Sequence, residues 1–181
     1  MRNKLPILIL AALLLTGCIR RSVSFTLDET GAYTGFAQVE EGYTRQAARL
    51  YGWVVLEDLI VTENVKVWQR FLQRADSGQE AGVRIAEFFG GEMYLMDIFF
   101  HEGRYRAFFS DGFDQNDEPF PFLLTLTGET NGYKSYAVVL SGDDSLTYDQ
   151  VMHRFFSSQL DEPDIPAHRV LFLGNGEPTW C

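Results

Sequence analysis

Few residues of this chain have the type and spacing to do chemistry. Its three histidines, His101, His153 and His168, lie far apart. None forms the His-x-x-x-His or His-Glu-x-x-His spacing that turns two imidazoles toward one zinc ion. Asp97 is the charged residue inside an otherwise apolar run, Met93 to His101. A carboxylate carried into a core needs partners or a raised pKa, and such groups gather at functional sites. Asp97 and His101 are therefore the candidate acid and base. The structural alternative for Asp97 is a charge pair with Arg84, Arg104 or Arg106. No Gly-x-Ser-x-Gly elbow supplies a nucleophile beside them. Gly90-Gly91 is followed by neither the Lys nor the helix of a phosphate-cradling loop.

Asp111, Asp114, Asn116, Asp117 and Glu118 crowd oxygen atoms into one stretch and raise the question of calcium. The familiar calcium loop turns alternate residues inward and closes on a bidentate Glu at its twelfth position. Gly112 and Phe113 interrupt that alternation, and no Glu stands at the closing position. The stretch reads as a solvated acidic turn. No metal and no cofactor is expected.

Covalent chemistry is written at the start of the chain. Arg2 and Lys4 precede an apolar run, Leu5 to Leu15, broken only by Pro6, and Leu15-Thr16-Gly17-Cys18 closes it. A basic start, a short apolar stretch and small residues before a cleavage point describe an export signal. The run is too short for a membrane-spanning helix, which needs roughly 20 residues. Leu15-Thr16-Gly17-Cys18 resembles the lipobox of bacterial lipoproteins. That resemblance implies cleavage after Gly17, a diacylglyceryl thioether on Cys18 and attachment to the extracytoplasmic face of the cell membrane. Two acyl chains suffice for stable anchoring where one does not. Residues 1–17 are then the signal and 18–22 a short linker, whose Arg20 and Arg21 would lie at the headgroups.

Losing Arg2 and Lys4 with the signal takes the formal charge from −10 to −12. Such a chain is a poor partner for nucleic acid, whose phosphates call for clustered Lys and Arg. The second cysteine, Cys181, has no partner once Cys18 is acylated, so no intrachain disulfide is expected.

The elements that must position these residues follow from periodicity. Val23 to Val39 reads as a hairpin around Asp28-Glu29-Thr30-Gly31, and Thr44 to Leu50 as a turn or two of helix. Trp53 to Val61 reads as one strand, with Thr62 capping the helix behind it. In that helix Val65, Trp68, Phe71, Leu72 and Ala75 share a face, leaving Lys66, Gln69, Arg70 and Gln73 wet until Ser77-Gly78 ends it. Val83 to Phe89, Met93 to His101 and Arg104 to Ser110 are strands, the last two joined by the tight turn Glu102-Gly103. Tyr94, Met96, Ile98 and Phe100 share one face of their strand, and Met93, Leu95, Asp97, Phe99 and His101 the other. Both faces are largely apolar, which predicts a strand covered on both sides. Phe122 to Leu126 continues across Asn131-Gly132 into Tyr133 to Ser141, so residues 93–141 read as one antiparallel meander. Thr147 and Gln150 have capping-box spacing ahead of a helical stripe from Tyr148 to Leu160. His168 to Leu173 is a last strand, and Gly174 to Cys181 a tail. The whole predicts one α+β domain over residues 23–181, an antiparallel sheet of five to seven strands with two main helices.

Two of these stretches carry a resemblance. Trp53-Val-Val-Leu-Glu-Asp-Leu59, the helix bearing Trp68 and Phe71-Leu72, and Gly82-Val83-Arg84 form the first. Ser145-Leu-Thr-Tyr-Asp149 and Phe155-Phe-Ser-Ser-Gln159 form the second. Together, over residues 53–160, the chain resembles a family of uncharacterised lipoproteins of Gram-positive gut bacteria. The resemblance implies an α+β secreted domain and assigns no catalytic residue. The expectation is a membrane-anchored, non-enzymatic binding or interaction module. Its partners would be the membrane, through lipid on Cys18, and an extracytoplasmic ligand or protein, with no nucleic acid. The alternative is a membrane-tethered hydrolase working through Asp97 or His101.

Overall fold

The computed structural model describes residues 23–37, 39, 42–111, 118–156 and 165–180. Cys18, Cys181 and most of the acidic stretch, residues 112–117, lie outside them, so the lipidation and calcium readings fall beyond the described residues. In chain order the elements are α1 (Arg45–Leu50), β1 (Val54–Glu57), β2 (Ile60–Glu63), α2 (Val65–Asp76), β3 (Ala81–Phe89), β4 (Glu92–His101) and β5 (Arg104–Phe109). There follow β6 (Phe122–Thr130), β7 (Tyr133–Ser141), α3 (Tyr148–Phe156) and β8 (His168–Asn175).

The fold is α+β, but its strands form two sheets rather than one. The first has the order β2-β1-β3-β4-β5, the second β6-β7-β8. The second is antiparallel throughout, but the first departs from the antiparallel sheet the sequence predicts, because β1 runs parallel to β3. The cause is α2. After the β1–β2 hairpin the chain returns along this helix, so β3 enters beside β1 in the same direction. The predicted meander is also divided. Between β5 and β6 only Tyr105 and Phe120 pair, each backbone N–H donating to the other's carbonyl at 2.8 and 2.9 Å. Pro119 and Pro121 flank Phe120. With no N–H to donate, they confine the ladder to that one residue and release the chain to a second sheet.

The strand predicted from Trp53 to Val61 is two strands, turned at Asp58 and Leu59 with φ of +47° and +64°. Thr62 consequently lies in β2, and Asn64 precedes α2 as its N-cap residue, with no side-chain cap bond. Asn64 instead donates to the carbonyls of Trp53 (2.7 Å) and Arg49 (3.0 Å), tying the hairpin's entry to its exit. The capping box ahead of α3 is formed. Gln150 Oε1 accepts from the Thr147 N–H at 2.9 Å, and Thr147 Oγ1 accepts from the Gln150 N–H at 3.3 Å.

Three apolar clusters hold the layers together. The largest joins β3 and β4 (Val83, Ile85, Met96, Ile98) to α2 (Trp68, Phe71, Ala75) and to β7 (Tyr136, Val138, Leu140). It also takes in Trp180, whose ring packs edge-on against Tyr136 at 5.2 Å and Trp68 at 6.0 Å. The predicted tail is therefore a core element near its end. On the other face of the first sheet, Val55, Ala86 and Leu95 lie under Ala48, Trp53, Phe36 and Val39. The outer face of the second sheet, Ala137 and Val139, is covered by Leu146, Tyr148 and Val151.

Among the described residues the predicted hairpin at residues 23–39 is reduced to one bridge, Leu27 with Tyr33, around a turn that Asp28 organises. Its Oδ1 accepts from the N–H groups of Thr30 and Ala32 and from the Thr30 hydroxyl. These bonds hold the Asp28 carboxyl below the usual carboxylate range, the Thr30 hydroxyl contributing most.

Candidate functional site

Asp97 lies where its strand parity places it, on the face of β4 toward the N-terminal segment. Opposite it in register on β3 is Arg84. The guanidinium meets the carboxylate with two nitrogens, Nε to Oδ1 at 2.7 Å and Nη2 to Oδ2 at 2.5 Å. The Tyr33 hydroxyl donates to Oδ2 at 2.7 Å, and Arg84 Nη2 also reaches the Gly35 carbonyl at 2.7 Å. Phe36 and Trp53 lie 5.3 and 5.2 Å from the guanidinium carbon. Asp97 is fully buried and Arg84 nearly so.

Burial raises the Asp97 carboxyl above its ordinary value, against the pull of the guanidinium and the phenol. Burial pulls Arg84 down, but the bond and charge of Asp97 prevail and raise it. Tyr33 is raised by burial and by the neighbouring carboxylate. A carboxylate with both oxygens engaged and no solvent exposure has no route to a substrate proton. Asp97 is thus a structural anchor that fixes the N-terminal segment to the sheet, and of the three arginines named for it Arg84 is the partner.

His101 stands two same-face positions farther along β4, about 13 Å from Asp97 by strand rise, so the two predicted acid–base residues do not meet. Its Nδ1 lies 2.9 Å from Glu80 Oε1, and its ring packs at 5.0 Å against Phe25. His153 is exposed on α3, and His168 pairs its Nδ1 with the Pro166 carbonyl at 2.8 Å. Among the described residues no three His, Cys, Asp or Glu side chains gather as a metal site.

What His101 does border is a cleft of about 590 Å³. One wall is α2, through Val67, Phe71 and the exposed Arg70 and Arg74, and the other is Val23 to Phe25. The floor is the start of β3, from Glu80 to Arg84.

That floor is a strand edge. β1 pairs with β3 only from Ile85 onward, so among the described residues no strand covers Ala81–Val83 on that side. The direction of their backbone groups follows from two fixed points. The Phe88 carbonyl accepts from the Asp58 N–H on the β1 side, and the Glu80 carbonyl accepts from Arg74 Nε and Nη2 at 3.2 and 2.8 Å. With a period of two along a strand, Gly82 turns its N–H and C=O the same way, into the cleft. Gly82 is also required sterically. A Cβ there would stand 2.6 Å from the Val23 carbonyl oxygen and 2.8 Å from the Phe99 ring, so only glycine lets the N-terminal wall cross so near the sheet.

Arg70 was legible in the sequence as a wet position on the helix, and with Arg74 it forms an i, i+4 pair on one face. The open edge of β3 had no sequence signal, because it depends on where β1 begins. Compared with known proteins, the chain matches no family model, no curated protein and no solved structure. Among the described residues no helix is long and apolar enough to cross a membrane.

Proposed function

We propose that this protein is a lipid-anchored extracytoplasmic binding module, one of the lipoproteins its sequence resembles, and that the cleft beside β3 is its ligand site. The observation that carries the reading is the cleft itself. It combines apolar walls, a few convergent polar groups and unoccupied backbone, the usual make-up of a ligand pocket. Its rim begins at Val23, five residues after Cys18. An extended chain of that length reaches at most about 18 Å, so an anchor on Cys18 would hold the cleft close to the membrane surface.

A thermal-shift screen of the full chain in detergent against peptides, glycans, metals and cofactors tests it. A ligand that binds only the folded state raises the melting temperature. The expected result is a rise with at least one class that disappears in Val67→Trp, which fills the cleft. No rise with any class, or a rise that survives the filling, counts against the reading.

The alternative, a membrane-tethered hydrolase, is favoured by one contact. Glu80 orients His101 through Nδ1, as a carboxylate does for a general base. Among the described residues no hydroxyl or thiol hydrogen-bonds to that imidazole, which leaves water as the only nucleophile to activate. Hydrolysis of a p-nitrophenyl ester that falls to background in His101→Gln would support this reading over binding alone.

A further inference from the structure

We infer that the cleft takes an extended peptide segment bearing a carboxylate, which adds as a strand to the open edge of β3. This rests on the reading of the cleft as a binding site and names its partner class. Along Ala81–Arg84 the backbone left unpaired on the cleft side, among the described residues, is that of Gly82, since Ala81 and Val83 turn theirs to β4 and the first β1 rung, Val54 with Ile85, takes the Arg84 carbonyl. Gly82 directs both its backbone groups there. Strand addition satisfies such groups with main-chain hydrogen bonds that any extended peptide can make, and pockets for alternate side chains then give selectivity. The two walls supply those pockets. An added strand would point one set of side chains toward Val67 and Phe71 of α2, and the other toward Phe25 and Val23.

Charge selects the peptide. Against a formal charge of −10 for the chain, the cleft gathers Arg70 and Arg74 on one helix face with Glu80 as the opposing carboxylate, already engaged with His101. Arg84 is neutralised by Asp97. Arg70 has no hydrogen-bond or ion-pair partner among the described residues. A guanidinium pairs best with a carboxylate, and two of them on one helix face in an acidic chain would draw an anionic segment toward this patch.

An array of random hexapeptides ending in glutamate with a free carboxylate is incubated with the full chain in detergent, beside the same sequences ending in amidated glutamine. The acidic set should contain binders whose glutamine counterparts bind about tenfold more weakly. Arg70→Glu should weaken those binders by a similar factor, and Arg74→Gln provides a second variant. N-methylation of every second residue of the best peptide removes strand-forming N–H groups and should abolish binding. Binding indifferent to N-methylation, or to both arginine substitutions, overturns strand addition. So does an array without binders; a glycan, metal or cofactor that still raises the melting temperature would then leave the cleft a site of different chemistry. Failure of both experiments overturns both readings.

Discussion

Arg84 and Asp97 face each other across the β3–β4 ladder, joined at 2.7 and 2.5 Å where solvent does not reach. Such a pair contributes little over an apolar one, yet removing one partner strands a buried charge at a cost of about 3–5 kcal/mol. Asp97→Ala should therefore lower the unfolding free energy by that amount, read as a fall in the urea midpoint, whereas a paired Arg84→Met/Asp97→Leu should recover most of it. A midpoint unmoved by Asp97→Ala would mean the pair is solvated.

Trp180 should anchor the end of the chain. It packs with Trp68, Tyr136 and Phe172, and truncating a buried Trp costs about 3–5 kcal/mol. Trp180→Ala should lose stability on that scale, as should Trp68→Ala. A Trp180 variant as stable as the parent in chemical denaturation would make the last residues a free tail.

Glu87 gives stability a pH dependence of known sign. Half-buried on β3, its carboxyl is raised by desolvation. The unfolded chain then loses this proton at lower pH than the folded one, so stability is full below the ordinary Glu value of 4.5 and falls as pH rises through the folded value. Glu87→Gln should melt higher than the parent at pH 7 and converge with it near pH 4. Parallel melting curves across that range would contradict the assignment.

Cys18→Ala should abolish incorporation of a palmitate analogue in metabolic labelling and release the protein from the membrane fraction, or leave it uncleaved. Undiminished labelling would remove the lipobox reading, and with it the proposed closeness of the cleft to the bilayer.

Local features of the fold were legible where one residue type answers one steric demand. Gly103, Asn131, Gly132 and Gly78 adopt the positive φ that their turns require, and the Trp68–Phe71–Ala75 stripe is the buried face of α2. Asp58-Leu59 makes a turn of the same kind without the glycine that signals one, so two strands read as one. The division into two sheets depends on two prolines around Phe120, and each is also compatible with a continuing edge strand. Asp97 was found by its charge in an apolar run, and Arg84 was among its possible partners. Only the register of β3 on β4 chose between the three arginines. The cleft was least legible of all, since it is made by β1 beginning only at Val54, Val23 crossing Gly82 and α2 setting Arg70 on the cleft side, three long-range facts with no local pattern.

The proposed binding site depends on an open edge at Gly82 of β3, and amide hydrogen exchange on the full chain measures it directly. Ala81 and Val83 direct their N–H groups to β4, while Gly82 directs its own into the cleft. The Gly82 amide should exchange far faster than those of Ala81 and Val83, despite lying between them, and should slow when a cleft ligand is added. Equal protection at all three positions in the unliganded protein would mean that the edge is already paired, and would contradict the binding site.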